Sequence, residues 1–197
     1  MCWACGLENN KIMHLLETYS LTTAMPIEKC FIAEEEIELP RRPYITFHPC
    51  DTKGTARQYS YWADVVKILK DSPNFSHEIV QVGGENDDTY EVNTSFLGKT
   101  SIHSLAYLIK HSSLHLSYDS FPLHLASHYD TKIVCIFPQT WRATGPFFSS
   151  KDRFVCLEPQ TSNVKPSYQY DDAHGLINTI SAEEIAAATL RMLDNNG

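Results

Sequence analysis

The amino-acid sequence predicts an α/β fold in which a single Rossmann-like parallel sheet is flanked by helices. From Tyr44 onward, short apolar runs alternate with apolar stripes at helical spacing. Strands that are joined by helices of about ten residues pair in parallel. The chain has 197 residues, 43% of them hydrophobic, which is enough for the core of one domain. We expect this domain to occupy residues 44–197, after an arm of residues 1–43.

The arm is predicted to contain a short helix followed by an extended connector. Four apolar residues have the i, i+3, i+4, i+7 spacing of one helix face; they are Ile12, Leu15, Leu16 and Tyr19. The chain then carries Pro26, the acidic run 34–36 and the segment 40–43 without a sustained period. This pattern is typical of a solvated connector.

Five apolar runs predict the strands of the sheet. Each run is five or six residues long, which is typical of strands in globular proteins. The predicted strands cover residues 44–48, 77–82, 114–118, 132–137 and 153–157. Gly83-Gly84 ends the second of them.

Three apolar stripes and one capping box predict the flanking helices. The stripes are Trp62, Val65, Val66 and Leu69; Ile102, Leu105, Ala106 and Ile109; and Pro122, Leu125, Ala126 and Tyr129. Thr100 or Ser101 can cap the second of these helices. Ser181 and Glu184 have the spacing of a capping box, which predicts a last helix through about residue 193.

Charge and hydropathy exclude several classes of protein. The formal charge of −8 argues against a non-specific binder of nucleic acid, because such proteins neutralise phosphates with clustered Lys and Arg. No run approaches the roughly 20 apolar residues of a membrane span. The Met1–Cys5 start lacks the pattern of a signal peptide, so we expect a cytoplasmic protein.

The six cysteines are irregularly spaced, which argues against a disulfide framework. Cys135 and Cys156 lie in apolar runs, where thiols behave as small hydrophobes. Cys2 and Cys5 have the spacing of metal ligands, and Cys30 or Cys50 could complete such a set. A second C-x-x-C is missing from the sequence, so we expect no metal site.

The loops that follow the predicted strands are the natural place for a ligand. In open α/β sheets, ligands bind beyond the carboxyl ends of the strands, where helix N-termini supply free N–H groups. The loop after the third predicted strand is Y-D-S-F-P-L-H at residues 118–124. Ser120 and the helix start could hold a pyrophosphate, with Asp119 near a sugar. Alternatively, Asp119 and Ser120 only cap their own helix.

The sequence around this loop resembles a known family. Residues 119–126 read D-S-F-P-L-H-L-A, after a helix beginning G-K-T-S-I-H-S-L-A and before a strand ending F-P-Q-T. This order is similar to the donor-binding, C-terminal half of glycosyltransferase family nine, the heptosyltransferases, whose motif is D-S-G-P-x-H-L-A. The resemblance covers about residues 44–157, including the Gly83-Gly84-Glu85 turn.

The resemblance implies half of a GT-B fold that binds a nucleotide-diphosphate sugar, such as ADP-heptose, and transfers the sugar with inversion to a hydroxyl acceptor. It implies no metal and no further cofactor. The positions that match the family's donor site are Gly83, Gly84, Glu85, Ser120, Phe121, Pro122, Leu123, His124 and Thr140. Arg57 falls where the family has a Lys, and a cation there would stabilise the leaving diphosphate. Asp119 is expected near the sugar.

Two departures from the family bear on catalysis. Phe121 replaces the Gly of D-S-G-P, so a benzyl group lies beside the expected phosphates. Residues 1–43 are too short for the family's acceptor-binding domain. We therefore expect an acceptor-domain partner chain or a homo-oligomer. The face that this partner would cover is expected to expose the aromatic residues of nearby loops; they are Tyr59, Tyr61, Phe121, Trp141, Phe147 and Phe148. The alternative is a non-catalytic nucleotide-binding or interaction module that is derived from a GT-B half.

The sequence leaves more than one candidate for the catalytic base. His48, at the end of the first predicted strand, faces the expected site and could act as the base. A histidine at the end of a strand can equally have a structural role. Asp51 or a residue of another chain could also supply the base. His124 and His128 lie four residues apart, but a hydrogen bond to a cap or ligand explains His124 more simply than a metal.

Overall fold

The computed structural model describes residues 12–49, 58–138, 141–159 and 176–194. In these residues the strands are β1 Tyr44–His48, β2 Glu78–Gln81, β3 Thr94–Ser95, β4 Leu114–Tyr118, β5 Ile133–Ile136 and β6 Phe154–Leu157. The helices are α1 Leu15–Thr23, α2 Trp62–Asp71, α3 Ile102–Lys110, α4 Phe121–His128 and α5 Ala182–Asp194. Short 3-10 helices lie at Trp141–Ala143 and Leu176–Thr179.

The strands form one parallel sheet in the order β3-β2-β1-β4-β5-β6. This order confirms the predicted α/β, Rossmann-like fold, and each of the five predicted strands is present within two residues of its expected ends. The two-residue β3 is absent from the prediction. It has polar residues only and follows β2 without a helix between them, so neither periodicity nor hydrophobicity marks it.

The sheet separates two apolar layers. One layer lies under α2 and α5 and includes Ile45, Phe47 and Trp62, each fully buried. The other lies under α3 and α4 and includes Val80 and Leu123. All five residues of β1 and of β4 are buried, as expected for central strands that are covered on both faces.

The faces predicted for α2, α3 and α4 are mostly buried, although Tyr129, just after α4, is only half-buried. The face predicted for the arm helix is not buried: α1 begins after Ile12, has no buried residue and leaves Tyr19 56% exposed. Trp62, Val65, Val66 and Leu69 are the buried residues of α2. In α3, however, Ile102 is 60% exposed, so its predicted burial is wrong. Ile102 is the first residue of the helix, and burial along α3 begins only at Ser104. None of the helices in the described residues combines the length and apolar character that crossing a bilayer requires.

Side-chain caps fix the starts of two helices. The Ser101 hydroxyl accepts from the Ser104 N–H, and the Ser104 hydroxyl accepts from the Ser101 N–H. Ser181 accepts from the Glu184 N–H at 3.1 Å, which is one half of the predicted capping box. Both caps satisfy N–H groups that a helix start leaves without a partner.

The arm lies along the outer side of α3 and α4. Lys110 Nζ lies 2.9 Å from both carboxylate oxygens of Glu34, and the Glu35 N–H donates to the His103 carbonyl. Lys29 Nζ donates to the carbonyl of His128. The acidic run, expected to be solvated, thus makes specific contacts with the domain.

Candidate functional site

The candidate site lies where β1 and β4 end side by side. The chain leaves β1 towards β2 and leaves β4 towards β5, in opposite directions across the sheet. Loops at such a switch point diverge and leave a crevice at the carboxyl edge of the sheet. His48 ends β1, and Asp119 and Ser120 follow β4.

His48 connects the loops of three strands. Its Nδ1 lies 2.9 Å from Ser120 Oγ, and its Nε2 lies 3.9 Å from Asp87 Oδ2 in the loop after β2. The side chain is almost fully buried, and burial lowers the pKa of His48 to about 4, although the nearby Asp87 carboxylate acts in the opposite direction. The imidazole is therefore neutral at pH 7.

The Ser120 hydroxyl points towards His48 and not into its own helix. Ser120 is the N-cap residue of α4, yet its side chain makes no capping hydrogen bond, so the alternative that it merely caps α4 is wrong. Its Oγ also lies 3.2 Å from the Tyr118 carbonyl. The hydroxyl donates its one proton to this carbonyl, and its oxygen accepts from His48 Nδ1–H, which is the tautomer that satisfies both contacts.

The turn after β2 has the glycines that the sequence indicated. The Gly84 N–H donates to Asp87 Oδ2 at 2.8 Å, and the Gly98 N–H donates to the Gly83 carbonyl at 3.0 Å. Gly83 has a φ of +151° and a Cβ there would collide with the Asp87 carboxylate, so this position requires glycine. Glu85 is exposed.

Asp87 was not predicted as a site residue. Its carboxylate contacts both the Gly84 N–H and the His48 ring, so it joins the glycine turn to the end of β1. The available signal was a carboxylate three residues after Gly84, where Asp commonly closes a turn by accepting from a backbone N–H. That signal predicts the turn but not the contact with His48.

The start of α4 presents two side chains to solvent and two to the core. Phe121 is 50% exposed, and the His124 side chain is 48% exposed. Pro122 and Leu123 are buried, so a ligand at this turn would meet their backbone. His124 Nε2 lies 4.0 Å from Asp119 Oδ1, and burial lowers the pKa of His124.

His14, just before α1 in the arm, also borders this edge. His14 Nε2 lies 3.1 Å from the Gly145 carbonyl, and its Nδ1 accepts from the Leu16 N–H. The His14 ring packs against Phe147, at 4.7 Å between centroids. Burial lowers the pKa of His14, and the neighbouring His124 contributes in the same direction. No pattern in the sequence placed the arm here.

Three predicted residues lie outside the described part of the chain: Asp51, Arg57 and Thr140. The same is true of Cys2, Cys5 and Cys50, while Cys30 is exposed. Six aromatic residues were expected to form an exposed face near the site: Tyr59, Tyr61, Phe121, Trp141, Phe147 and Phe148. Only Tyr61 and Phe121 of these are exposed. Tyr59 is buried against Trp62 and donates to the Ile180 carbonyl, so that expectation is wrong.

Comparisons with known proteins bear on this site. The family model described as glycosyltransferase family 9 (heptosyltransferase) matches residues 15–173, a longer part of the chain than the motif alone covers. Among curated proteins, none matches the chain.

Solved structures share the fold. The chain is similar to the glycosyltransferase family 9 protein of Veillonella parvula DSM 2008, with 16% identity and a TM-score of 0.65, over 94% of this chain and 61% of that chain. It is also similar to E. coli ADP-heptose LPS heptosyltransferase II, with 15% identity and a TM-score of 0.59, over 94% of this chain and 53% of that chain. A third similar structure is the dodecameric, iron-containing heptosyltransferase TibC of enterotoxigenic E. coli in complex with ADP-D-beta-D-heptose. Here the identity is 12% and the TM-score 0.59, over 82% of this chain and 48% of that chain. The chain thus covers between 48% and 61% of the length of these structures.

Proposed function

This chain belongs to glycosyltransferase family 9, the heptosyltransferase family, and we propose that it binds a nucleotide-diphosphate sugar at the carboxyl edge of its sheet. The observation that carries the proposal is the meeting of His48, Ser120 and the Gly83–Asp87 turn at the switch point between β1 and β4. One of the similar structures is a complex with ADP-D-beta-D-heptose. We therefore propose ADP-heptose as the first donor to test.

The start of α4 is the proposed place of the diphosphate. Ser120 leaves the first turn of α4 without a side-chain cap, and the positive end of the helix dipole faces that side. The described carboxylates nearby, Asp87 and Asp119, would repel a diphosphate. A cation is needed to offset them, and we propose Arg57 for this role.

The proposed reaction is a direct displacement with inversion. The acceptor hydroxyl attacks the anomeric carbon, the bond from that carbon to the diphosphate oxygen breaks, and a base removes the hydroxyl proton. His48, with a pKa of about 4, is a weak base at neutral pH, which favours a role in orienting Ser120. We therefore propose Asp51 or a residue of a second chain as the catalytic base. In this proposal, Asp119 contacts the sugar.

Calorimetric titration with ADP and with ADP-heptose tests this site. Ser120→Ala should weaken ADP binding about tenfold, because in the complex the hydroxyl proton turns from the Tyr118 carbonyl to a phosphate oxygen and makes one hydrogen bond to a charged group. Ser60→Ala is the matched control, because Ser60 is an exposed serine outside the proposed site. Its backbone N–H, which the substitution keeps, donates to the Asn178 side chain. Equal affinities for wild type and Ser120→Ala would place the nucleotide elsewhere.

A non-catalytic binding module is the second candidate function. Phe121 favours it, because its half-exposed ring stands beside the proposed diphosphate where the family motif has glycine. An assay for sugar transfer or donor hydrolysis separates the two functions. Binding of the donor without turnover, in wild type and in Phe121→Gly, would support the module. Turnover in either chain would support the transferase.

We propose that the active species contains a second chain, either an acceptor-binding partner or another copy. In the arm, α1 has no buried residue. Tyr19, Leu21, Met25 and Phe31 of the arm are exposed, and arms of this kind can clasp a neighbour. Light scattering at micromolar concentration tests this proposal. A monomer of 22.4 kDa, with no partner recovered from the native host, would contradict it.

A further inference from the structure

Two thiols in neighbouring strands of the sheet face each other. Cys135 of β5 and Cys156 of β6 are register partners in adjacent parallel strands. Their Sγ atoms lie 3.1 Å apart, and both are free cysteines. Adjacent strands lie about 4.8 Å apart, which is within the Cα separation that a disulfide spans. Closing the bond therefore requires an approach of the sulfur atoms and no rearrangement of the strands.

The two thiols differ in their access to solvent. Cys135 is fully buried, whereas Cys156 lies on the outermost strand of the described sheet and is partly exposed. A solvent-borne oxidant therefore meets Cys156 first, and the sulfur within reach of the oxidised Cys156 is that of Cys135. Cys30 is exposed, so it provides a measure of general surface reactivity within the same chain.

We propose that Cys135 and Cys156 are a modification site, at which a peroxide converts the thiol pair into an intrachain disulfide. In the first step the Cys156 sulfur attacks one peroxide oxygen, the O–O bond breaks, and Cys156 sulfenic acid and water form. In the second step the Cys135 sulfur attacks the sulfenic sulfur, the S–OH bond breaks, and a second water carries away the hydroxyl and the Cys135 proton. The two thiols lose two electrons, and the peroxide is reduced.

The disulfide would close the segment between the two strands. This segment carries Trp141, whose N–H donates to the Glu158 carboxylate at 3.3 Å, and Arg142, which lies 3.5 Å from the same carboxylate. It also carries Gly145, which contacts His14 of the arm. A covalent link at its base restricts the unfolded chain, so the oxidised protein is expected to melt at a higher temperature.

Thiol counting in a simplified chain tests the proposal. The variant with Cys2, Cys5, Cys30 and Cys50 all changed to Ser keeps only the pair, since the chain has six cysteines. After hydrogen peroxide and then an alkylating agent, we expect loss of both reactive thiols, one linked peptide pair in the non-reducing digest, full recovery with a dithiol reductant, and a raised melting temperature. Adding Cys156→Ser to this variant should abolish the linked peptides.

Wild-type protein shows whether the pair is favoured over the other cysteines. The 135–156 link should form before Cys30 enters any disulfide. Recovery of Cys135 and Cys156 as alkylated thiols or as sulfinic acids after peroxide would overturn the proposal, as would pairing of either residue with Cys30. A lower melting temperature of the disulfide form would overturn its stabilising role. None of these outcomes depends on nucleotide binding.

Discussion

The two faces of the central strands β1 and β4 have opposite characters. Towards α2 and α5, β1 presents Ile45 and Phe47, and β4 presents Leu114 and Leu116, all fully buried and apolar. On the opposite face, by the alternation of the strands, the same two strands carry Thr46, His48, His115 and Ser117, which are also buried. Burial is thus equal on the two faces, while polarity is not.

The polar face is held by a line of hydrogen bonds. Thr46 Oγ1 lies 2.9 Å from His115 Nδ1 and 3.2 Å from Ser112 Oγ. At the carboxyl end of the same face, His48 and Ser120 form a separate contact. His115 Nε2 and Ser117 Oγ, in contrast, have no hydrogen-bond partner among the described residues. Leaving buried polar atoms unpaired destabilises a fold.

The difference between the faces shows how one sheet serves two purposes. The apolar face stabilises the fold by removing apolar area from water. The polar face costs part of this stabilising free energy and leads directly to the candidate site. Polar burial next to a ligand crevice is typical of functional positions.

The largest expected effect follows from breaking the apolar face. Phe47 is fully buried and packs edge-on against Trp62 at 5.3 Å and Tyr90 at 5.6 Å between centroids. Phe47→Ala should lower the free energy of unfolding by about 3–5 kcal/mol. Urea denaturation followed by circular dichroism measures this loss, with the exposed Tyr61→Ala as control. A loss below about 1 kcal/mol would show that the apolar face contributes less than we infer.

Acid should act on the polar face. Burial lowers the pKa of His115 to about 3 and that of His48 to about 4, whereas both titrate near 6.5 in the unfolded chain. The unfolded state therefore binds more protons below pH 6.5, and stability falls as the pH drops from 6.5 towards 4. The expected loss between pH 7 and pH 5 is about 2 kcal/mol for each histidine.

The variant His115→Gln tests whether this loss of stability in acid comes from the polar face. Urea midpoints at pH 7 and pH 5 should differ less in His115→Gln than in wild type, because that side chain no longer titrates. His111→Gln is the matched control, since His111 is exposed at the end of α3. If the pH dependence is the same in wild type and His115→Gln, His115 is not among the groups responsible.

The smallest expected effect is on the polar face, where removing a side-chain atom should not lower the free energy of unfolding. Ser117 Oγ is buried without a partner among the described residues, so Ser117→Ala removes an unpaired polar atom. The free energy of unfolding should stay unchanged or rise by up to about 1 kcal/mol. Leu116→Ala, at the neighbouring residue, should instead cost about 2–5 kcal/mol. A loss above 1 kcal/mol in Ser117→Ala would reveal a partner for the hydroxyl.

Prediction from sequence succeeded where burial follows a regular period. The stripe of α2 was recovered in full, because an amphipathic helix repeats its apolar residues along the whole buried side. Ile102 has the same spacing and is exposed, since the packed part of α3 begins after the first turn. The two polar residues of β3 have no period, and their place beside β2 depends on the turn that precedes them.

The sequence predicted which loops form the candidate site, but it did not predict all of the side chains that meet there. Parallel strands bring their carboxyl ends to one edge, which is why His48 and Ser120 were expected together. Asp87 and His14 were not expected, since each reaches the edge through a turn or an arm whose path no local pattern encodes.

The sequence by itself determined the alternation of five apolar strands with helices, the parallel sheet and the loops at its carboxyl edge, because these follow from periodicity and from the connectivity that short helical crossovers impose. The D-S-F-P-L-H-L-A stretch indicated the family that the family model then matched. Only the tertiary structure decided that Ser120 turns to His48 and not to its own helix. It also decided that Cys135 meets Cys156. These contacts join residues from 21 to 72 positions apart, and such distances close only when whole elements pack.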